Sequence, residues 1–157
     1  MKAKYHIILT LFAWQMLAIS TTSCAQHPDQ ELTLQLKSVD VHLVKPVKPY
    51  QYRTDKNELK TVAQAYLVLF DFEKIPPVTN ERTDFYIGDY RIPEYGGTKT
   101  GIYFRIYDPA IVNRLNNQPI SWKKGNQPQK TFPGKVFTAD TRKLKPESEE
   151  AVLKAKY

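Results

Sequence analysis

Cysteine is almost missing: Cys24 is the single one in a chain of 157 residues, so no disulfide can form within it. Histidine is scarce too. Only three occur, and His42 alone sits well inside the body of the sequence, His27 lying near its start. Zinc sites draw on clusters of His, Cys and carboxylates at set spacing. The one suggestive pair, Asp40 and His42, supplies two ligands on one strand, which is too few. Nucleophilic catalysis lacks its parts as well, with no Gly-x-Ser-x-Gly elbow and no cysteine embedded in the body. Gly97-Thr98-Lys99-Thr100 has neither the earlier glycine nor the Gly-Lys pair of a phosphate-binding loop. Internal repeats are also wanting. No catalytic residue, metal or cofactor is therefore assigned from the sequence.

What is present begins with a short basic start, Lys2 and Lys4, an apolar run from Ile7 to Ile19, and small polar residues from Ser20 to Ser23. That order predicts a secretion signal over residues 1–23. A membrane-spanning helix needs about 20 apolar residues, more than this run offers. Two processing sites fit. Small residues at Ser23 and Ala25 suit a cut after Ala25, which releases a soluble chain from Gln26. Thr22-Ser23-Cys24 resembles a bacterial lipoprotein box, with Thr21 where an aliphatic residue is usual. That resemblance implies lipidation of Cys24 and a membrane-anchored protein of the cell envelope; the other cut implies a soluble periplasmic or secreted one. Residues 24–30 read as a linker, 31–139 as a single β domain, and 140–157 as a charged tail.

Net charge is +7. Such an excess favours acidic partners, either envelope glycans or acidic lipids, or a protein partner. Nucleic acid is not expected of an exported chain. Because the lysines are scattered rather than blocked, the charge also serves plain solubility.

The body alternates with the period of strands. Leu32, Leu34 and Leu36 share one face; beyond Ser38 the phase moves to Val39, Val41 and Leu43, which predicts a bulge near Lys37-Ser38. Tyr50 to Lys60 is polar and reads as a loop. Val62 to Phe72 is apolar on both faces and predicts a central strand. Gly88-Asp89 predicts a two-residue type II′ hairpin turn pairing Ile87 with Tyr90 and Tyr86 with Arg91. Gly96 to Gly101 reads as a flexible connection into a strand from Ile102 to Tyr107. Asp108-Pro109 then opens a short helix over 109–115, followed by short strands at Ile120–Trp122 and Lys135–Thr138. The tail either forms a short helix after Pro146 or frays. The sum predicts an all-β antiparallel β-sandwich, immunoglobulin-like or transthyretin-like, or a small barrel.

One candidate surface emerges. If Ile102, Phe104 and Ile106 face the core, Tyr103, Arg105 and Tyr107 face away. Pairing of that strand with the hairpin would add Tyr86 and Arg91. Tyrosine and arginine are enriched where proteins bind, so these five are expected to hold an acidic ligand. Tyrosine also favours strands in general, and the Tyr50–Lys60 segment could cover the face. The expectation is a non-enzymatic exported envelope protein with a binding face. The alternative is an extracytoplasmic glycan hydrolase using carboxylates among Glu81, Asp84, Asp89 and Glu94.

Overall fold

The computed structural model describes residues 34–54, 56–74 and 82–157, so the segment read as a secretion signal, Cys24 and Glu81 lie outside the described residues. In chain order the strands are β1 (Leu36–Lys45), β2 (Tyr50–Arg53), β3 (Leu59–Val62), β4 (Ala65–Phe72), β5 (Thr83–Ile87), β6 (Tyr90–Arg91), β7 (Gly96–Gly97) and β8 (Gly101–Ile106). Helix α1 (Pro109–Leu115) follows, then β9 (Pro119–Lys124), β10 (Lys130–Val136), β11 (Pro146–Ser148) and helix α2 (Glu149–Lys154). Strands hold 49% of the described residues and helices 11%, so the fold is mostly β. Among the described residues no helix is long and apolar enough to cross a membrane.

Three sheets form. The first runs β11-β1-β4-β8-β7, the second β10-β9-β5-β6, and β2 pairs with β3 alone. As its two apolar faces predict, β4 is the central strand of the first sheet, and it is nearly all buried. Register sorts its side chains. Val39, Val41, Val68, Phe70, Phe104 and Ile106 share one face; Asp40, His42, Val44, Leu67, Leu69, Tyr103 and Arg105 share the other. The first face meets the second sheet through aromatic contacts, with ring centroids 6.3 Å apart for Phe70–Phe85 and 6.2 Å for Phe72–Phe132. The predicted bulge is present: the register slips between Leu36 and Ser38. Because of that slip Leu36 and Phe72 pair directly and are both buried, although Leu36 is out of phase with Val39.

The hairpin at Gly88 has the predicted register, Tyr86 opposite Arg91 and Ile87 opposite Tyr90, and Ile92 N–H donates to the Phe85 carbonyl. Gly88 has φ of 59°, the left-handed region that the first position of a type II′ turn demands. Asp108 caps α1, its Oδ1 accepting from Ala110 N–H at 2.8 Å.

Several expectations are corrected. Tyr50–Lys60 is not a loop: much of it forms the β2–β3 hairpin, whose Tyr50 and Tyr52 are half-buried while Gln51 and Arg53 face solvent. It reads as polar because one side alone touches protein. Gly96–Gly101 is a tight turn into β8, with Gly96 and Gly97 paired to Tyr103 and Ile102. A Cβ on Gly101 would run into the Phe70 carbonyl, so glycine there allows β4 and β8 to approach. The strand expected at Lys135–Thr138 starts earlier, at Lys130, and ends at Val136. Residues 140–157, read as a charged tail, form the short helix after Pro146 that is one of its two expected states, and add a strand, β11, that is not expected. β11 lies parallel to β1, so the first sheet is mixed rather than purely antiparallel.

Candidate functional site

Alternation in β8 places Tyr103, Arg105 and Tyr107 opposite Ile102, Phe104 and Ile106, as the sequence predicts. The other half of the expectation does not follow. Tyr86 and Arg91 belong to β5 and β6 of the second sheet, and β8 pairs instead with β4 and β7. The five residues therefore do not share one face. Arg91 bonds Asp84 across the hairpin at 2.9 Å, with Arg82 on the same carboxylate at 3.1 Å. The physical reason is chain direction: after Arg91 the backbone leaves the second sheet, and only Gly96 and Gly97 join β8.

The face carrying Arg105 is occupied by the chain's own C-terminal segment. Val152 of α2 is buried against Val44, Ala65, Leu67 and Leu69, with Leu153, Tyr50, Tyr103 and Tyr107 around them. Arg105 Nε donates to Glu149 Oε1 at 2.5 Å, and the Tyr50 hydroxyl donates to Glu149 Oε2 at 2.7 Å. The guanidinium lies 5.6 Å from the Tyr50 ring centre and 5.5 Å from that of Tyr103, within cation–π range. Tyr107 stacks on Tyr52 with centroids 4.6 Å apart and planes 15° apart. Burial, the largest single effect, would lower the Arg105 pKa, but Glu149 and Tyr50 together outweigh it and raise it. Burial, then the bond to Glu149, pushes the Tyr50 hydroxyl up. Arg105 thus grips a carboxylate, and that carboxylate is internal.

A second polar cluster fastens the end of the chain. Lys156 Nζ donates to Asp71 Oδ2 at 2.6 Å and lies 3.5 Å from Asp40 Oδ2. Thr100 Oγ1 donates to Asp71 Oδ1 at 2.7 Å, and the Tyr157 hydroxyl donates to the Gly97 carbonyl. Burial alone would raise the Asp71 carboxyl; hydrogen bonds from Lys156 and Thr100 outweigh it and hold the group below the usual carboxylate range. Nearby, His42 Nδ1 on β1 sits 3.0 Å from Glu147 Oε1 on β11.

Beside this occupied face lies an open cleft of about 320 Å³, where the β2–β3 hairpin, the end of β8, α1 and β6 converge. Tyr52, Tyr90 and Tyr107 line it together with Arg53, Lys60 and Arg114. Arg105 reaches it from behind, and the carboxylate present, Asp108, is engaged at the α1 cap. Lys60 and Arg114 have no hydrogen-bond or ion-pair partner among the described residues, and Arg53 bonds the Asn57 carbonyl and side-chain oxygens. A smaller cleft of about 290 Å³ borders Glu94, Tyr95, Tyr103 and Arg105. Among the described residues no group of three or more His, Cys, Asp or Glu is placed to hold a metal.

Sequence reasoning named Arg105 and Tyr107, which border this cleft, but as part of a different face, and it missed Tyr52, Arg53, Lys60 and Arg114, which come from segments far apart in the chain. It missed Glu149 too, although Ser148 followed by Glu149 and Glu150 is a helix start with acids in its first turn. No known family model, curated protein or solved structure matches the chain.

Proposed function

We propose that this chain is a non-enzymatic, exported β-sandwich module that binds an acidic glycan in the cleft between the β2–β3 hairpin and α1. The observation that carries the reading is the lining of that cleft, four basic side chains and three tyrosines around one carboxylate that already caps a helix. Guanidinium and ammonium groups pair with carboxylates by charge-assisted hydrogen bonds. Tyrosine rings offer apolar faces with polar tips, which suits a sugar ring bearing hydroxyls. The two sheets meeting across Phe70, Phe72, Phe85 and Phe132 support the sandwich. The basic, apolar and small-residue order of residues 1–23, with Cys24 after it, supports export and a lipid anchor in the envelope.

The hydrolase alternative draws less support. Retaining and inverting glycosidases use two facing carboxyl groups, one of them protonated. Asp84 is neutralised by Arg82 and Arg91, Asp89 stands exposed in its turn, and Glu94 borders the smaller cleft with Arg105. Asp40 and Asp71 are bridged by Lys156, and Asp71 is held ionised.

A thermal-shift titration with a uronate-rich polysaccharide tests the proposal, with an uncharged polysaccharide as control. The acidic polymer should raise the melting temperature and the neutral one should not, because a ligand specific for the native state stabilises it. Replacing both Lys60 and Arg114 with alanine should weaken the apparent affinity at least about 10-fold, roughly the loss of one charged hydrogen bond, while leaving the ligand-free melting temperature in place. No shift with the acidic polymer, or an equal shift in the double variant, overturns the reading.

A further inference from the structure

We infer that the acidic part of the ligand is accompanied by an amine, which Glu94 receives in the adjoining smaller cleft: the glycan is one in which a uronate neighbours a sugar with a free amino group. The inference rests on the acidic-glycan reading and extends the same site along β8.

Arg105 and Tyr107 border both clefts, so the larger and the smaller meet at a shared wall. Across that wall the lining changes sign. The larger cleft carries Arg53, Lys60 and Arg114; the smaller carries Glu94. Arg105 does not cancel this carboxylate, because Glu149 already holds the guanidinium at 2.5 Å. Glu94 has no hydrogen-bond or ion-pair partner among the described residues. Its charge nevertheless reaches the wall: burial is the main cause that raises the Tyr107 hydroxyl pKa, and Glu149 and Glu94 add to it against Arg105. Tyr103 to Tyr107 covers four residues of extended chain, about 13 Å, short enough for adjacent units of one oligosaccharide to touch both clefts.

The segment that presents Glu94 is fixed on both sides. Before it, Ile92 is fully buried and the Pro93 carbonyl accepts from the Arg82 guanidinium at 3.2 Å. After it, the Tyr95 hydroxyl donates to the Thr83 carbonyl at 2.6 Å, and the Tyr95 ring meets Phe85 edge-on at 5.3 Å. Gly96 follows, and a side chain there would strike the Tyr103 ring, so glycine lets that ring close over β7. Backbone held this way gives up little freedom when a ligand binds. The carboxylate it carries can accept charge-assisted hydrogen bonds from an ammonium group, while Tyr95 and Tyr103 beside it offer the apolar bodies and polar tips that suit a sugar.

Thermal-shift titration of the full chain decides the matter, with oligosaccharides of alternating uronate and hexosamine whose nitrogens are either free or acetylated. Acetylation removes positive charge and leaves the ligand more acidic, so a protein of net charge +7 that binds by charge alone should favour the acetylated form. The reverse is expected here. The free-amine form should bind at least about 10-fold more tightly, the gain from one charged hydrogen bond. In Glu94→Gln that ratio should fall to one or below, a comparison within one variant that a general change in stability leaves untouched. Equal or tighter binding of the acetylated form by the parent, or an unchanged ratio in Glu94→Gln, overturns the inference and leaves the acidic-glycan reading standing. If neither form, nor a uronate-only polymer, raises the melting temperature, the acidic-glycan reading fails and the inference falls with it. A peptide of alternating Glu and Lys that binds more tightly than the free-amine sugar overturns the sugar as occupant.

Discussion

Replacing Glu149 with alanine removes the carboxylate that Arg105 and Tyr50 share. The Glu149 side chain is 13% exposed and that of Arg105 is 29%, so water can re-solvate the orphaned guanidinium only in part. Loss of a hydrogen bond between charged groups costs about 1.5–3 kcal/mol, and loss of the Tyr50 bond about 1 more. Partial exposure of Arg105 trims the total by screening, leaving roughly 2–3 kcal/mol. For a domain of this size each kcal/mol moves the melting temperature by about 3–5 °C, so the expected drop is about 6–15 °C by calorimetry or circular dichroism. Glu149→Gln, which keeps one acceptor oxygen, should fall between alanine and the parent. Arg91→Ala is the control, since its pair with Asp84 stands at the surface and its loss should leave melting nearly unchanged. If Glu149→Ala melts with the parent, the C-terminal helix does not lock onto β8 and the account of the occupied face is wrong.

Two further outcomes follow from the local geometry. Gly88→Val should destabilise by about 1–3 kcal/mol, because a β-branched residue is strained at φ of 59° and its Cβ would crowd Gln118; Asp89→Asn should be nearly silent, and equal melting of Gly88→Val and the parent would exclude the turn. Asp71 titrates below its ordinary range when folded, so its contribution is present above the unfolded carboxylate pKa, about 3.9, and is lost as the pH falls through the folded value. Asp71→Asn should therefore be less stable than the parent near neutrality and converge with it in acid, whereas a gap of constant size from neutral pH down to strong acid would show that the carboxylate charge is not what matters.

Much of the strand pattern was legible in the residues themselves, because each such feature depends on neighbours in the chain. The bulge at Lys37, the II′ turn at Gly88, the two-sided burial of β4 and the Asp108 cap rest on alternation, glycine geometry and capping, all local. Alternation likewise sets Tyr103, Arg105 and Tyr107 opposite the core residues of β8. What alternation cannot supply is the identity of the neighbouring strand or of the covering layer. Tyr86 and Arg91 went to another sheet because β9, not β8, pairs with β5, a choice made by packing across residues far apart in sequence. The polar β2–β3 hairpin and the charged C-terminal segment carry too few apolar residues to announce burial, yet Tyr50, Glu149 and Val152 complete the face over β8. Local chemistry decided which side of each strand is apolar; only the tertiary arrangement decided that the arginine meant for a ligand would close on a carboxylate of its own chain, because that contact spans 44 residues and forms only once the sheet exists to receive it.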